Sequence, residues 1–101
     1  MTVKITRNDK GSPAGKLANA ELHFSEGPLA GLKLVGFSIW ESRTGGSRNV
    51  TFPARSFDVN GSRRNFSLLR PIVDVTAQDA LRELILDAFQ EHEEHAAVAT
   101  G

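Results

Sequence analysis

The hydrophobic period of this chain changes once, and that change limits its fold more than any other feature. From Leu17 to Phe24 the residues Ala18, Ala20, Leu22 and Phe24 fall on one side and Asn19, Glu21 and His23 on the other, the two-residue period of a half-buried strand. From Thr76 onward the period is that of a helix. At about 100° per residue Ala77, Leu81, Leu84, Ile85, Ala88 and Phe89 form a single stripe. Strands followed by one terminal helix give an α+β fold: about five antiparallel strands in a strongly bent sheet, with a C-terminal amphipathic helix packed on it.

The remaining strands are bounded by turn residues. Thr2 to Thr6 alternates in β-favouring types, and Asn8 to Gly15 supplies the turn that follows. After the turn cluster Ser25-Glu26-Gly27-Pro28, the run Leu29 to Glu41 is apolar enough to be the central strand. Gly36 inside it marks a bulge or bend. Val50 to Ala54 is a short strand whose Pro53 cannot donate to a ladder, which places it at an edge or a strand end. Asn60-Gly61 turns a hairpin whose return arm, Ser62 to Leu69, stops at Arg70-Pro71. Thr76 is a suitable N-cap, Val75 is placed to pack against Ala80, and Asp79 meets the helix dipole in the first turn. The helix is expected over 77 to about 91. Residues 1–95 then make one domain, and 96–101 a frayed C-terminal tail.

A chain of 101 residues can bury one core and no second. With no cysteine it has no disulfide framework, no thiolate chemistry and no cysteine-ligated zinc, which fits a reducing compartment; a cytoplasmic location is expected. No apolar stretch is long enough to span a bilayer, and no membrane partner is expected. The net charge of zero hides a division along the chain. Residues 1–73 carry 11 Lys and Arg against 5 Asp and Glu, and residues 74–101 carry 1 against 7. A basic sheet would attract anions, and an acidic helix would face elsewhere or dock on a neighbour's basic surface.

Catalytic and metal-binding patterns are weak. Gly11 to Leu17 is one residue short of a phosphate-binding loop, has Leu17 where a metal-binding hydroxyl belongs, and precedes no helix, so it reads as a turn. His92 and His95 sit at i, i+3 among carboxylates with no third ligand, the composition of a solvated helix end. His23 has no partner that sequence can assign. No catalytic residue, metal ligand or cofactor is expected, and the chain does not read as an enzyme.

The arginines stand above this background. Arg55, Arg63, Arg64 and Arg70 surround the last hairpin with Phe57 and Phe66 between them, and Arg43 and Arg48 flank the glycine-rich loop Ser42 to Asn49, which could close over an anion. Guanidinium groups bind phosphate in a bidentate manner, and aromatic residues on a sheet offer stacking platforms, a composition suited to nucleic acid. Alternation puts Arg64, Phe66, Leu68 and Arg70 on one face and Arg63, Asn65, Ser67 and Leu69 on the other. Phe66 and Phe52 are expected in the core, with Phe57 open. Leu86 lies outside the helix stripe and widens its apolar arc to roughly 200°. Leu86 and Phe89, together with a sheet edge at Pro53, are therefore the expected dimer interface.

At this hairpin and helix the chain resembles the stage V sporulation protein G (SpoVG) family of small bacterial regulators. Val50-Thr51-Phe52-Pro53-Ala54-Arg55 is similar to the family's strand ending in Pro-Ser-Lys/Arg. Gly61 through Phe66 to Arg70-Pro71-Ile72 is similar to its glycine, aromatic and basic hairpin ending in His-Pro-Ile, and the helix 77–89 follows in the same place. Pro53, Arg55, Pro71 and Ile72 match motif positions, Arg63 and Arg64 lie near the basic hairpin residue, and Ser56 and Arg70 depart from the usual pattern. The likeness covers roughly residues 2 to 90, with Val3 to Gly11 and Leu17 to Glu41 like the family's first strands. It implies a homodimer of about five strands and a terminal helix, sequence-tolerant binding of DNA and RNA, and a regulatory role in sporulation and septation. A protein-interaction module with no nucleic-acid ligand is the alternative reading of the same residues.

Overall fold

The computed structural model describes residues 1–42 and 45–100, with side chains through Ala96. Its strands are β1 (Thr2–Arg7), β2 (Lys16–His23), β3 (Lys33–Glu41), β4 (Arg48–Thr51), β5 (Ala54–Val59) and β6 (Ser62–Ser67), followed by one helix, α1 (Thr76–Thr100). The first four form an antiparallel sheet in the order β1-β2-β3-β4; β5 and β6 form a separate two-stranded sheet. The α+β class holds: among the described residues six strands lie in two antiparallel sheets, followed by one α-helix.

Burial follows the two periods. Ala18, Ala20 and Leu22 of β2, Phe37 and Ile39 of β3, and Val50 of β4 meet Ile85 and Phe89 of α1 in a single core. The helix crosses the sheet and comes closest to its two outer strands. The alanines on β2 leave room for it, while Asn19, Glu21 and His23 face away as the alternation requires. Gly36 is the expected bulge. Between Ala20↔Phe37 and Leu22↔Leu34 the chain of β3 carries an extra residue, and Gly36 takes φ +110°, a conformation that side chains other than glycine's rarely adopt. Residues 29–32, expected at the start of the central strand, instead leave a short 3₁₀ turn, Gly27–Leu29, and β3 begins at Lys33.

The buried face of α1 is turned by roughly 60° from the expected stripe. Ile85 and Phe89 are buried and Leu81 and Leu86 pack against the core, whereas Ala77 and Leu84 face solvent. Leu84 stays 44% exposed, and the hairpin β5–β6 pairs in a sheet of its own and does not extend the one under the helix. Thr76 is inside the helix. Its backbone N–H donates to Asp74 Oδ1 at 2.9 Å, which makes Asp74 the capping residue, and the Thr76 side chain, together with this backbone N–H, holds the Asp74 carboxyl below the usual range. Val75 and Ala80 are both exposed, so no staple forms. The helix continues past residue 91 to Thr100.

Candidate nucleic-acid interface

The β5–β6 hairpin is held by a two-residue turn. Asn60 and Gly61 take φ of +51° and +80°, the left-handed pair that an Asn-Gly turn supplies, and this fixes the register. Arg55 then faces Phe66, Phe57 faces Arg64 and Val59 faces Ser62 on one side of the ribbon. Ser56 faces Asn65 and Asp58 faces Arg63 on the other. At its base the hairpin is tied to the rest of the chain by the Leu68 N–H donating to the Pro53 carbonyl at 2.9 Å and by the Ser67 hydroxyl donating to the Leu69 carbonyl at 3.0 Å.

The first side is the chemically distinctive one. The rings of Phe57 and Phe66 lie 5.0 Å apart between centroids, inclined at 54°, and remain 39% and 38% exposed. Arg55 stands over the Phe57 ring at 5.3 Å and Arg70 over the Phe66 ring at 5.9 Å. Arg70 is oriented by its Nε, which donates to the Ser67 carbonyl at 2.8 Å. Arg64, opposite Phe57, completes the group. Among the described residues no carboxylate lies within ion-pair distance of Arg55, Arg63, Arg64 or Arg70. The arrangement offers three guanidinium groups to phosphates and two ring surfaces to planar ligands.

Three expected arginines do not join this face. Arg63 is exposed on the opposite side of the ribbon, across from Asp58. Arg48 is engaged by the helix: its guanidinium donates to Glu93 Oε1 at 2.7 Å and rests 4.9 Å above the Phe89 ring. Arg43 lies outside the described residues. The cleft beside Arg48, about 410 Å³ and lined by Glu41, Ser47, Leu86, Asp87 and Gln90 among others, carries two carboxylates and offers an anion little attraction.

The expected dimer residues are buried within the chain to different degrees. Phe89 is 2% exposed within the protomer, Leu86 packs against its core, and Pro53 is buried where its Cβ lies 2.9 Å from the position of a Cβ at Gly36. Phe89 and Pro53 therefore have little surface left to give a partner, whereas Leu86 is half-buried at the rim of the cleft beside Arg48. Phe66, expected in the core, is exposed beside Phe57; Phe52 does reach the core, edge-on to Phe37 at 5.3 Å between centroids. Phe57, left open by the sequence, is thus exposed with Phe66; the Asn-Gly turn indicates which side chains share a face but not that this face is left in solvent.

Elsewhere on the sheet, Glu21 accepts from His23 at 2.7 Å with Lys33 at 3.5 Å, and these two partners, His23 first, hold its carboxyl below the usual range. No group of three or more His, Cys, Asp or Glu residues able to hold a metal ion occurs among the described residues. Nor, among them, is any helix long and apolar enough to cross a membrane. No family model, curated protein or solved structure matches the chain.

Proposed function

We propose that this chain is a non-catalytic nucleic-acid-binding module that contacts DNA or RNA through the Phe57 and Phe66 side of its protruding hairpin, with Arg55, Arg64 and Arg70 on the phosphates. The observation that carries this reading is the grouping of three arginines and two exposed rings on one face free of carboxylates. A regulatory role of the SpoVG kind, in sporulation and septation, is supported only by the sequence resemblance. Fluorescence anisotropy with short labelled oligonucleotides tests the binding. Three phosphate contacts predict that the logarithm of affinity falls against the logarithm of salt concentration with a slope of about 2 to 3. An Arg55→Ala/Arg64→Ala variant should lose most of the affinity and lower that slope to about 1. Absence of binding at low salt, or an unaltered slope in the double variant, would refute the assignment.

A second reading, protein contact, is favoured by a different surface. Between β6 and α1 the chain exposes Leu68, Ile72, Val73 and Val75, with Ile72 98% and Val73 90% exposed. Beside them lies a mostly apolar notch of about 160 Å³ lined by Phe52, Leu69, Pro71, Ala77 and Leu81. A projecting isoleucine next to a notch fits a second copy related by a two-fold axis, since each protomer then fills the other's notch. Arg70 lines this notch and also stands over the Phe66 ring, so the two surfaces adjoin.

A further inference from the structure

Resting on the nucleic-acid reading, we infer that the ligand of this face is single-stranded, and that Phe57 and Phe66 receive its unpaired bases. In a duplex the flat surfaces of the bases are covered by their neighbours, and a protein reaches only base edges and the sugar-phosphate backbone. Two phenylalanines have no hydrogen bond to offer an edge. They gain most from nucleic acid where an uncovered base can lie on them, as on the aromatic platforms of single-strand-binding sheets.

The geometry of the rings argues in the same direction. Their planes are inclined at 54°. Two successive bases stacked one on each ring must fan apart, which unpaired nucleotides do readily and stacked base pairs do not. The guanidinium groups of Arg55 and Arg70 stand at 5.3 and 5.9 Å from the ring centroids. A base that stacks on either ring takes the place of the guanidinium standing over it, and the displaced guanidinium is then within a side chain's reach of the flanking phosphates.

A two-stranded ribbon also fits the major groove of B-DNA, and the hairpin supplies a contrast for that case. A ribbon reading base edges would turn its polar side inward, the side of Ser56, Arg63 and Asn65, whose groups can hydrogen-bond to bases. The rings would then face solvent. The two binding modes thus use opposite faces of the same hairpin and are separable by substitution.

The test compares one labelled sequence of about 12 nucleotides as single-stranded DNA, single-stranded RNA and duplex DNA, by anisotropy at two salt concentrations. The single strands should bind at least roughly tenfold more tightly than the duplex. Phe57→Leu and Phe66→Leu keep apolar bulk on the ribbon but remove the ring. Each should weaken single-strand binding by roughly 5- to 100-fold and leave the duplex nearly unaffected. Circular dichroism and Trp40 fluorescence check that the fold persists in each variant, and Phe66→Tyr, which retains a ring, should restore most of the affinity. Duplex binding equal to or tighter than single-strand binding, sensitive to Arg63→Ala and indifferent to the leucine variants, would overturn the single-strand inference while nucleic-acid binding stood. Failure of every oligonucleotide to bind would overturn the functional reading itself, and this inference with it.

Discussion

Gly36, within β3, lies against Pro53, the residue that precedes the hairpin. Its φ of +110° disfavours any side chain, and a Cβ there would sit 2.9 Å from Pro53 Cβ, so strain and overlap act together. Gly36→Ala should therefore lower stability by about 2 to 4 kcal/mol, measured by urea unfolding, and an unshifted midpoint would contradict the packing described. Glu21 and Asp74 make a second residue-scale prediction. Both carboxyls are held below the usual range, Glu21 chiefly by His23 and Asp74 by the Thr76 side chain and backbone N–H. A lowered folded-state value means that the stabilisation is fully present above the unfolded-state value and is lost as pH falls through the folded one. Thermal stability should hold from neutral pH down to about 5 and decline below about 4. Glu21→Gln/Asp74→Asn should flatten that decline, and an unchanged acid limb would exclude these two groups as its source. The bulge at Gly36 was legible because glycine inside an apolar run has few other uses. Its contact with Pro53 was not, because it joins residues far apart in sequence.

At the scale of elements, the hairpin and the helix divide the arginines between them. Arg48 holds the helix against the edge of the sheet through Glu93 and Phe89. Arg48→Ala should lower stability by about 1 kcal/mol and leave oligonucleotide affinity within roughly twofold of the parent. Arg64→Ala should do the reverse, weakening binding with little change in the melting temperature. If Arg48→Ala abolished binding in a folded protein, the assignment of the interface to the hairpin would be wrong. Strand β2 and the Asn60-Gly61 turn were readable because local pattern decides both. The face of α1 was not, since Leu84 and Leu86 are equally apolar and only the extent of the sheet beneath them determines which is covered. Phe57 and Phe66 likewise gave no local sign of exposure. Aromatic residues on a strand are usually buried, and only the departure of the ribbon from the main sheet leaves these two in solvent.

The whole molecule is more open than its length requires. Its radius of gyration is 15.3 Å, where a compact chain of this size has about 13 Å, and its extents are 53 × 38 × 24 Å. A lone two-stranded hairpin is marginal in water, and an isoleucine and a valine almost fully exposed in succession are unusual on a monomer. Both fit a protomer whose second copy covers the chain between β6 and α1. Light scattering after size exclusion should report twice the chain mass, and Ile72→Asp should return the single mass without unfolding the core. A strict monomer at high concentration would remove the dimer. The reversal of charge between the first 73 residues and the rest was plain in the sequence, but it did not reveal which arginines are free, because Arg48 is spent on the helix and Arg63 faces away.

The ribbon is spliced into the chain near Pro53 and near Leu68, and none of its side chains is among the eight residues of the hydrophobic core that the sheet and the helix share. Substitutions between Ala54 and Ser67 can thus change what the molecule grips without loosening the part that keeps it folded. Grafting a differently decorated ribbon between those two splice points would give a scaffold with exchangeable specificity.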